Sequence, residues 1–547
     1  MRYACVAWLL AAAVPAAAFA DDAAPAASVP AWPDDATLEA EGARIGSVTV
    51  RDLPIFDPSI PGEKKAIYRV ADRLHVDTRD SAIEAQLLFR PGDPYSRRLL
   101  DETGRNLRRL RYIREPEIRI VGYHDGVVDL EVALHEVWTT NPGLSYGRSG
   151  GTDKTGISIE ELNLFGFGKH LAFDYSDDVD RSSYSVHWHD PNLFGSRWRN
   201  DVILRDSDDG SGQWLTVERP FYALDAHWSA GVMLARDETV EHVYRLGEDV
   251  AGYGQRLEFG ELRYGWSAGL QDGWTRRYTA GFRRDHADFG FDPDETAPAA
   301  LPASRHLDYP WLRLEVIEDD FDTSRNRDQI ARTEDFEFGT RFMLELGWAS
   351  GAFGADRDAA LLRAEASRGF RLGDDHALFL DAGLSGRQES GDFRDALVTA
   401  GLRYYVPDGP KRTFYASLTA EAGHRLDADH ERLLGGDTGL RGYPLRYQAG
   451  QGRALLTLEQ RFYTNYSLWR LADIGGAVFL DMGKSWGSSA FGPNANQGLL
   501  KDVGFGLRLG SIKTGLGNVL HIDVAFPLDG DRSISGTQIL VQTKRSF

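Results

Sequence analysis

The chain has 547 residues, 62 Lys and Arg against 82 Asp and Glu, and a formal net charge of -20, so more than one structural unit is expected. The acidic balance excludes the basic footprint that nucleic-acid binding requires. The single cysteine, Cys5, lies in the first twenty residues, which excludes a disulfide framework or a Cys-based metal site in everything that follows.

Residues 1–20, MRYACVAWLLAAAVPAAAFA, carry Arg2, an apolar middle and Ala18-Phe19-Ala20 before Asp21, the layout of a secretory signal peptide. Residues 21–43 are rich in Ala, Pro and acids and read as a flexible leader. No later apolar run is long enough for a spanning helix, which needs about 20 residues. An exported chain of this kind is periplasmic, secreted, or a β-barrel in an outer membrane.

From Arg44 to Val137 the pattern is that of a small mixed domain in the order β-α-α-β-β. RIGSVTV reads as a strand, EKKAIYRVADRLHV as a helix, and SRRLLDETGRNLRRLRYI as a second helix with Ser96 as N-cap and Leu99, Thr103, Leu107 and Leu110 on one face. EIRIVGY and VVDLEVALHEVW form a hairpin about HDG, with Val128, Leu130, Val132 and Leu134 turned inward. Arg97, Arg98, Arg105, Arg108, Arg109 and Arg111 make the second helix basic, either as a solvated face or as a contact for an acidic client or lipid headgroups.

From Trp138 to Phe547 the apolar period is two. Leu171, Phe173 and Tyr175 share a face, as do Tyr184, Val186 and Trp188 in the facing arm of a hairpin. In FEFGTRFMLELGW the set Phe336, Phe338, Phe342, Leu344, Leu346 and Trp348 reads as one side of a single strand. Aromatic outer faces, polar and Gly-rich inner faces and polar loops match a transmembrane barrel better than a soluble sandwich. Such a sheet must close, because an open edge cannot be satisfied in lipid. Asn-Leu-Phe-Gly occurs twice, at 163–166 and 192–195, and reads as two similar strand ends.

Three stretches carry chemistry or mimic it. GRSGG (147–151) fits Gly-x-Ser-x-Gly but lies after a first barrel strand rather than in a strand-to-helix elbow, so no catalytic residue is assigned. His187 and His189 share a strand face, with Asp190 beside them, but a metal site is not expected, since lumen-facing polar residues are the default. GGDTGLRGYPL (435–445) places Arg441 among Gly435, Gly436, Gly439 and Gly442, which let the backbone approach a wall without Cβ clashes. A guanidinium pushed into a lumen needs carboxylates. Glu459 and Asp481 are candidates, because the outward sets Leu456, Leu458, Phe462 and Val478, Leu480, Met482 leave them on the lumen side.

With these residues in hand, the chain resembles the Omp85 superfamily of outer-membrane proteins, of the barrel-assembly or two-partner-secretion-transporter type (surface antigen D15). The unit at 44–137 is similar to a POTRA domain, Leu440-Arg441-Gly442-Tyr443 to the tip of the family's inward-folded sixth loop, and Phe479-Leu480-Asp481-Met482-Gly483 to the Phe-x-Asp-x-Gly strand that faces it. The resemblance implies an all-β barrel of about 16 antiparallel strands over 138–547, an inward loop around 433–452 pinned by Arg441 to Glu459 and Asp481, and a non-enzymatic role in inserting or translocating client proteins. It also implies a bilayer, an unfolded client taken up on a POTRA edge strand, and the barrel-assembly machinery, which would read the terminal Phe547. No cofactor or nucleotide is expected, as there is no Gly-x-x-x-x-Gly-Lys-Ser/Thr loop. Only one POTRA-like unit and no plug helix are visible. A passive outer-membrane pore is the alternative, for which neither the POTRA-like unit nor the arginine loop would be needed.

Overall fold

The computed structural model of the chain describes residues 32–56, 75–373, 375–469, 471–492, 497–511, 513–515, 518–532 and 534–544. Most of the helix expected over EKKAIYRVADRLHV, and Phe547, lie outside them.

The small N-terminal domain is a three-stranded sheet flanked by helices. Its strands are Arg44–Leu53, Ile113–His124 and Val127–Glu136, and the last of these is central: it pairs in parallel with the first and antiparallel with the second. The hairpin between the last two turns on Asp125 and Gly126, both at positive φ, the two-residue loop whose twist suits a hairpin. Val128, Leu130, Val132 and Leu134 are fully buried and pack with Leu100 and Leu107 of the helix Arg97–Arg108. Leu100, rather than Leu99, carries the upper part of that face. Ser96 occupies the N-cap without a side-chain bond; the Arg97 N–H instead donates to Glu39 Oε1 at 2.8 Å. Glu39 belongs to a short helix, Asp35–Ala40, whose Leu38 is buried in the same core, so this part of the acidic leader is structural.

Among the described residues the remainder closes into a barrel of twenty antiparallel strands, from Thr140–Ser149 to Gln538–Lys544. This corrects the expected sixteen. The difference is visible early in the chain, where Lys169–Asp177, Ser182–Asp190, Arg199–Ser207 and Gly210–Arg219 are short strands on tight turns, so the same length of chain makes more crossings. Strands reach 24 residues at Glu248–Gln271. The outer wall is apolar, with Leu144, Phe173, Tyr184, Leu262, Tyr264, Leu312, Leu346, Trp348, Val478 and Phe505 exposed, as a wall facing hydrocarbon is. The seam where last strand meets first is thin: among the described residues Val541 opposite Arg148 is the only registered pair.

FEFGTRFMLELGW is two elements, not one strand. Arg341–Ala349 is a barrel strand, whereas Thr333–Glu337 pairs with Phe321–Arg325 in a separate hairpin. Phe336 and Phe338 are buried against Phe379, at ring distances of 5.5 and 5.0 Å. A hairpin packed inside a barrel alternates like a wall strand, and only the Gly339-Thr340 break separates the two.

The two Asn-Leu-Phe-Gly segments are matching turns at the end of the barrel nearest the small domain. Each holds its Phe and Gly at positive φ, Phe165 with Gly166 and Phe194 with Gly195, and leaves the Phe ring exposed.

Candidate functional site in the barrel lumen

Between the strands Arg412–His424 and Gly452–Leu468 the chain folds inward from the end opposite the small domain. A short hairpin, Arg432–Leu434 with Gln448–Gly450, forms the stem. Leu434, Leu440, Tyr443 and Tyr447 pack with Leu500 of the wall. Two glycines have specific reasons. Gly439 sits at φ +114°, and a Cβ on Gly442 would stand 2.5 Å from Asp502 Cβ, so only glycine brings the Gly442 N–H to its 2.9 Å bond with Asp502 Oδ2. On the wall, Gly483 opens room for Leu434 and Leu440. Tyr443 Oη donates to the Lys501 carbonyl at 2.8 Å and accepts from the Lys501 N–H at 3.1 Å.

Arg441 is 4% exposed. Its Nε and Nη2 donate to Asp481 at 2.6 and 3.0 Å, the bidentate geometry that a guanidinium favours. Nη1 lies 3.8 Å from Glu459 and 3.5 Å from Asp523, and the guanidinium rests 3.3 Å above the Phe479 ring. Arg441 with Gly442 therefore touches four consecutive strands: Gly452–Leu468, Ala472–Trp486, Leu500–Gly510 and Val519–Pro527. These lead directly to the seam strand. Burying so many charges stabilises only when they are mutually paired, and Arg508 extends the pairing by donating to Asp523 at 2.5 Å and to Glu459 at 3.4 Å.

Sequence reasoning named Arg441, Gly442, Tyr443, Glu459, Phe479, Asp481 and Gly483, and the structure gathers all of them at this loop tip. It missed Asp502, Asp523 and Arg508, although the alternation in DVGFGLRLG and VLHIDVAFPL already turned them inward. It also missed Arg446, which forks onto Asp180 in the turn after Lys169–Asp177 and covers the Tyr244 ring at 4.4 Å.

A second obstruction enters from the small-domain end. The hairpin Phe321–Arg325 and Thr333–Glu337 raises its tip into the lumen, where Ile330 packs with Tyr463, Ala477 and Val519. Asp328 accepts from Tyr405 Oη at 2.8 Å and lies 3.6 Å from Arg461. Arg461 in turn lies 4.0 Å from Glu459, so a line of ion pairs joins the hairpin tip to the arginine loop. Glu334 closes the hairpin by accepting the Arg327 and Asp328 N–H groups at 3.1 and 3.0 Å. Burial, with Asp328 close by, pushes the Glu334 carboxyl up to about 8.

The basic helix is solvated only in part: Arg97 and Arg109 are exposed, whereas Arg98, Arg105 and Arg108 turn to the barrel. Arg108 donates to Asp335 of the hairpin at 2.8 Å through Nε, with Nη2 completing the fork at 2.5 Å. Arg105 lies 4.2 Å over the Phe321 ring and 3.6 Å from Asp319. Arg98 bonds Asp225, and Glu102 accepts the Leu224 N–H at 2.8 Å. The small domain is thus fastened across its end of the barrel by arginines on acids of the connecting loops.

The remaining motifs resolve structurally. Ser149 ends the first strand, and its hydroxyl makes no hydrogen bond; Gly150 lies against Leu445 of the inward loop. His187 and His189 both bond Asp201, at 2.9 and 2.7 Å, while Asp190 pairs with Lys169 at 3.0 Å.

No protein-family model and no curated protein matches the chain. Solved structures do. CdiB from Acinetobacter baumannii aligns at 13% identity and TM-score 0.47, covering 91% of this chain and 73% of that one. CdiB from Escherichia coli aligns at 13% identity and TM-score 0.49 over 92% and 77%. BamA from Haemophilus ducreyi lacking POTRA domains 1–3 aligns at 13% identity and TM-score 0.39 over 91% and 84%.

Proposed function

We propose that the chain is a non-enzymatic outer-membrane protein of Omp85 type that inserts or translocates client proteins, with the small domain on the periplasmic side as a POTRA-like module. The observation that carries this reading is the Arg441 loop, which braces the four strands running up to a barrel seam with one registered pair among the described residues. A wall held by a removable internal strut beside a thin seam can open locally without dismantling the barrel. Elsewhere each closed strand pair is held by a ladder of bonds whose unsatisfied ends would be costly in lipid.

An extended client would add to an exposed edge of the small sheet, the mode in which main-chain bonds give affinity. Val127–Glu136 is central and cannot serve; the two edges are Arg44–Leu53 and Ile113–His124. Cross-linkers for capturing clients in cells belong on those strands.

The passive-pore reading meets three internal obstructions: the inward loop, the opposing hairpin and the docked domain. Seam opening is tested by Arg148→Cys with Val541→Cys, the only thiols once the first twenty residues are removed. Oxidation is expected to abolish client insertion and reduction to restore it. Full activity of the oxidised form, or a large steady conductance of the wild-type protein in planar bilayers, would sink the proposal.

A further inference from the structure

Where the small domain joins the barrel, several charged groups converge that neither the loop nor the docking contacts use. Glu136 ends the central strand Val127–Glu136, and two residues later the Trp138 N–H bonds the Lys513 carbonyl at 2.9 Å on the barrel rim. Segment 75–79 crosses this joint. The Thr78 N–H donates to Glu136 Oε1 at 3.1 Å, Asn163 of the barrel donates to Thr78 Oγ1 at 2.8 Å, and the Arg79 N–H bonds the Gly166 carbonyl at 2.9 Å.

His75 Nε2 stands 2.6 Å from Glu136 Oε2, and the two side chains are only 6% and 2% exposed. One ligating atom each from His75, Asp77 and Glu136 lie within 4.8 Å of one another. A tetrahedral zinc bound at about 2.0–2.2 Å holds its ligand atoms roughly 3.3 Å apart, so a small spreading of the His75–Glu136 contact admits an ion. Of the two His75 ring nitrogens it is Nε2 that faces the acids; Nδ1, on the far side of the ring, is buried and makes no hydrogen bond. Asp77, Asp80 and Glu136 all lie close enough to Asp52 to act on its charge, and among the described residues the ion-pair partner that any of these four acids has is His75.

A second cluster shows the contrast. Asp395, Asp427 and His430 are equally close, but Arg387 forks onto Asp427 at 2.7 and 2.9 Å and Arg305 lies 3.7 Å away. Cations of the protein already fill that role. At the joint, among the described residues, no Lys or Arg lies within ion-pair distance of Asp77 or Glu136, and His75 alone pairs with Glu136.

We propose that His75, Asp77 and Glu136 bind a first-row divalent metal ion of the zinc class, clamping segment 75–78 onto the domain's central strand where it enters the barrel. One imidazole with two carboxylates suits such an ion, with water completing the shell; calcium would require six or more oxygens.

The test is zinc titration by calorimetry, with the visible spectrum after cobalt addition, on the full chain purified in detergent and stripped with chelator. One equivalent is expected to bind. His75→Ala with Glu136→Gln should weaken it by more than about 100-fold, beyond the effect of losing an outer-shell partner. Asp77→Asn guards against misfolding of that double variant: Asp77 is exposed, so the fold should persist, checked by heat-modifiable gel migration, while affinity falls at least about tenfold. Asp395→Asn with Asp427→Asn should bind as wild type. Absence of a saturable equivalent in the wild-type chain, or binding unchanged by Asp77→Asn, overturns the site.

Discussion

Arg441 is the residue on which the lumen network converges. Removing its guanidinium leaves Asp481 buried without the cation that forks onto it, while Glu459 keeps Arg508 and Arg461, and breaking a buried pair in this way costs about 3–5 kcal/mol. Arg441→Ala should therefore release the loop while the barrel still forms, lowering the first thermal transition of the purified protein and raising its bilayer conductance. Arg441→Lys should recover only part of the loss, since an ammonium cannot fork onto Asp481. Gly442→Ala should mimic Arg441→Ala through a different cause, the Cβ that would collide with Asp502. The trio Arg441, Glu459 and Asp481 was legible because strand alternation says which acids face the lumen. Asp523 faced the lumen by the same rule. That it meets this arginine depends on how far the wall curves, which alternation does not encode.

At the scale of elements, the hairpin spanning Phe321–Glu337 is the feature the sequence concealed. Its Phe336 and Phe338 continue the period of the following strand, and nothing local distinguishes a ring facing lipid from one packed on Phe379. The basic helix was concealed for a related reason: a run of arginines states a charge, while its partners Asp225, Asp319 and Asp335 lie more than a hundred residues away in sequence. Arg108→Glu should undock the hairpin by setting like charges against Asp335, making it accessible to protease in purified protein; an unchanged digestion pattern would show that the fork contributes little. Glu334 gives the hairpin a pH dependence. Its carboxyl is held above the ordinary range when docked, so the docked form binds the extra proton. That stabilisation is complete below the unfolded value and disappears as pH rises through about 8. Hairpin release should therefore increase between about pH 5 and 8 and level off above, and Glu334→Gln should flatten the profile.

For the molecule as a whole, the barrel was legible and its strand number was not. Period-two patterning reports that strands exist, but short strands on short connections look much like the halves of longer ones, so the count came out at twenty among the described residues rather than sixteen. The placement of the small domain was equally out of reach, being set by arginines and acids from distant parts of the chain. Together the structure presents a cylinder closed from both ends, with a line of ion pairs from Asp328 through Arg461 and Glu459 to Arg441 joining the two obstructions. The measurement that tests this most directly is labelling of Leu440→Cys by a membrane-impermeant maleimide on intact cells. Leu440 is fully buried at the loop tip, so the thiol should stay unlabelled with Arg441 present and become labelled when Arg441→Ala is added. Rapid labelling with Arg441 intact would mean that the loop is not held in the lumen.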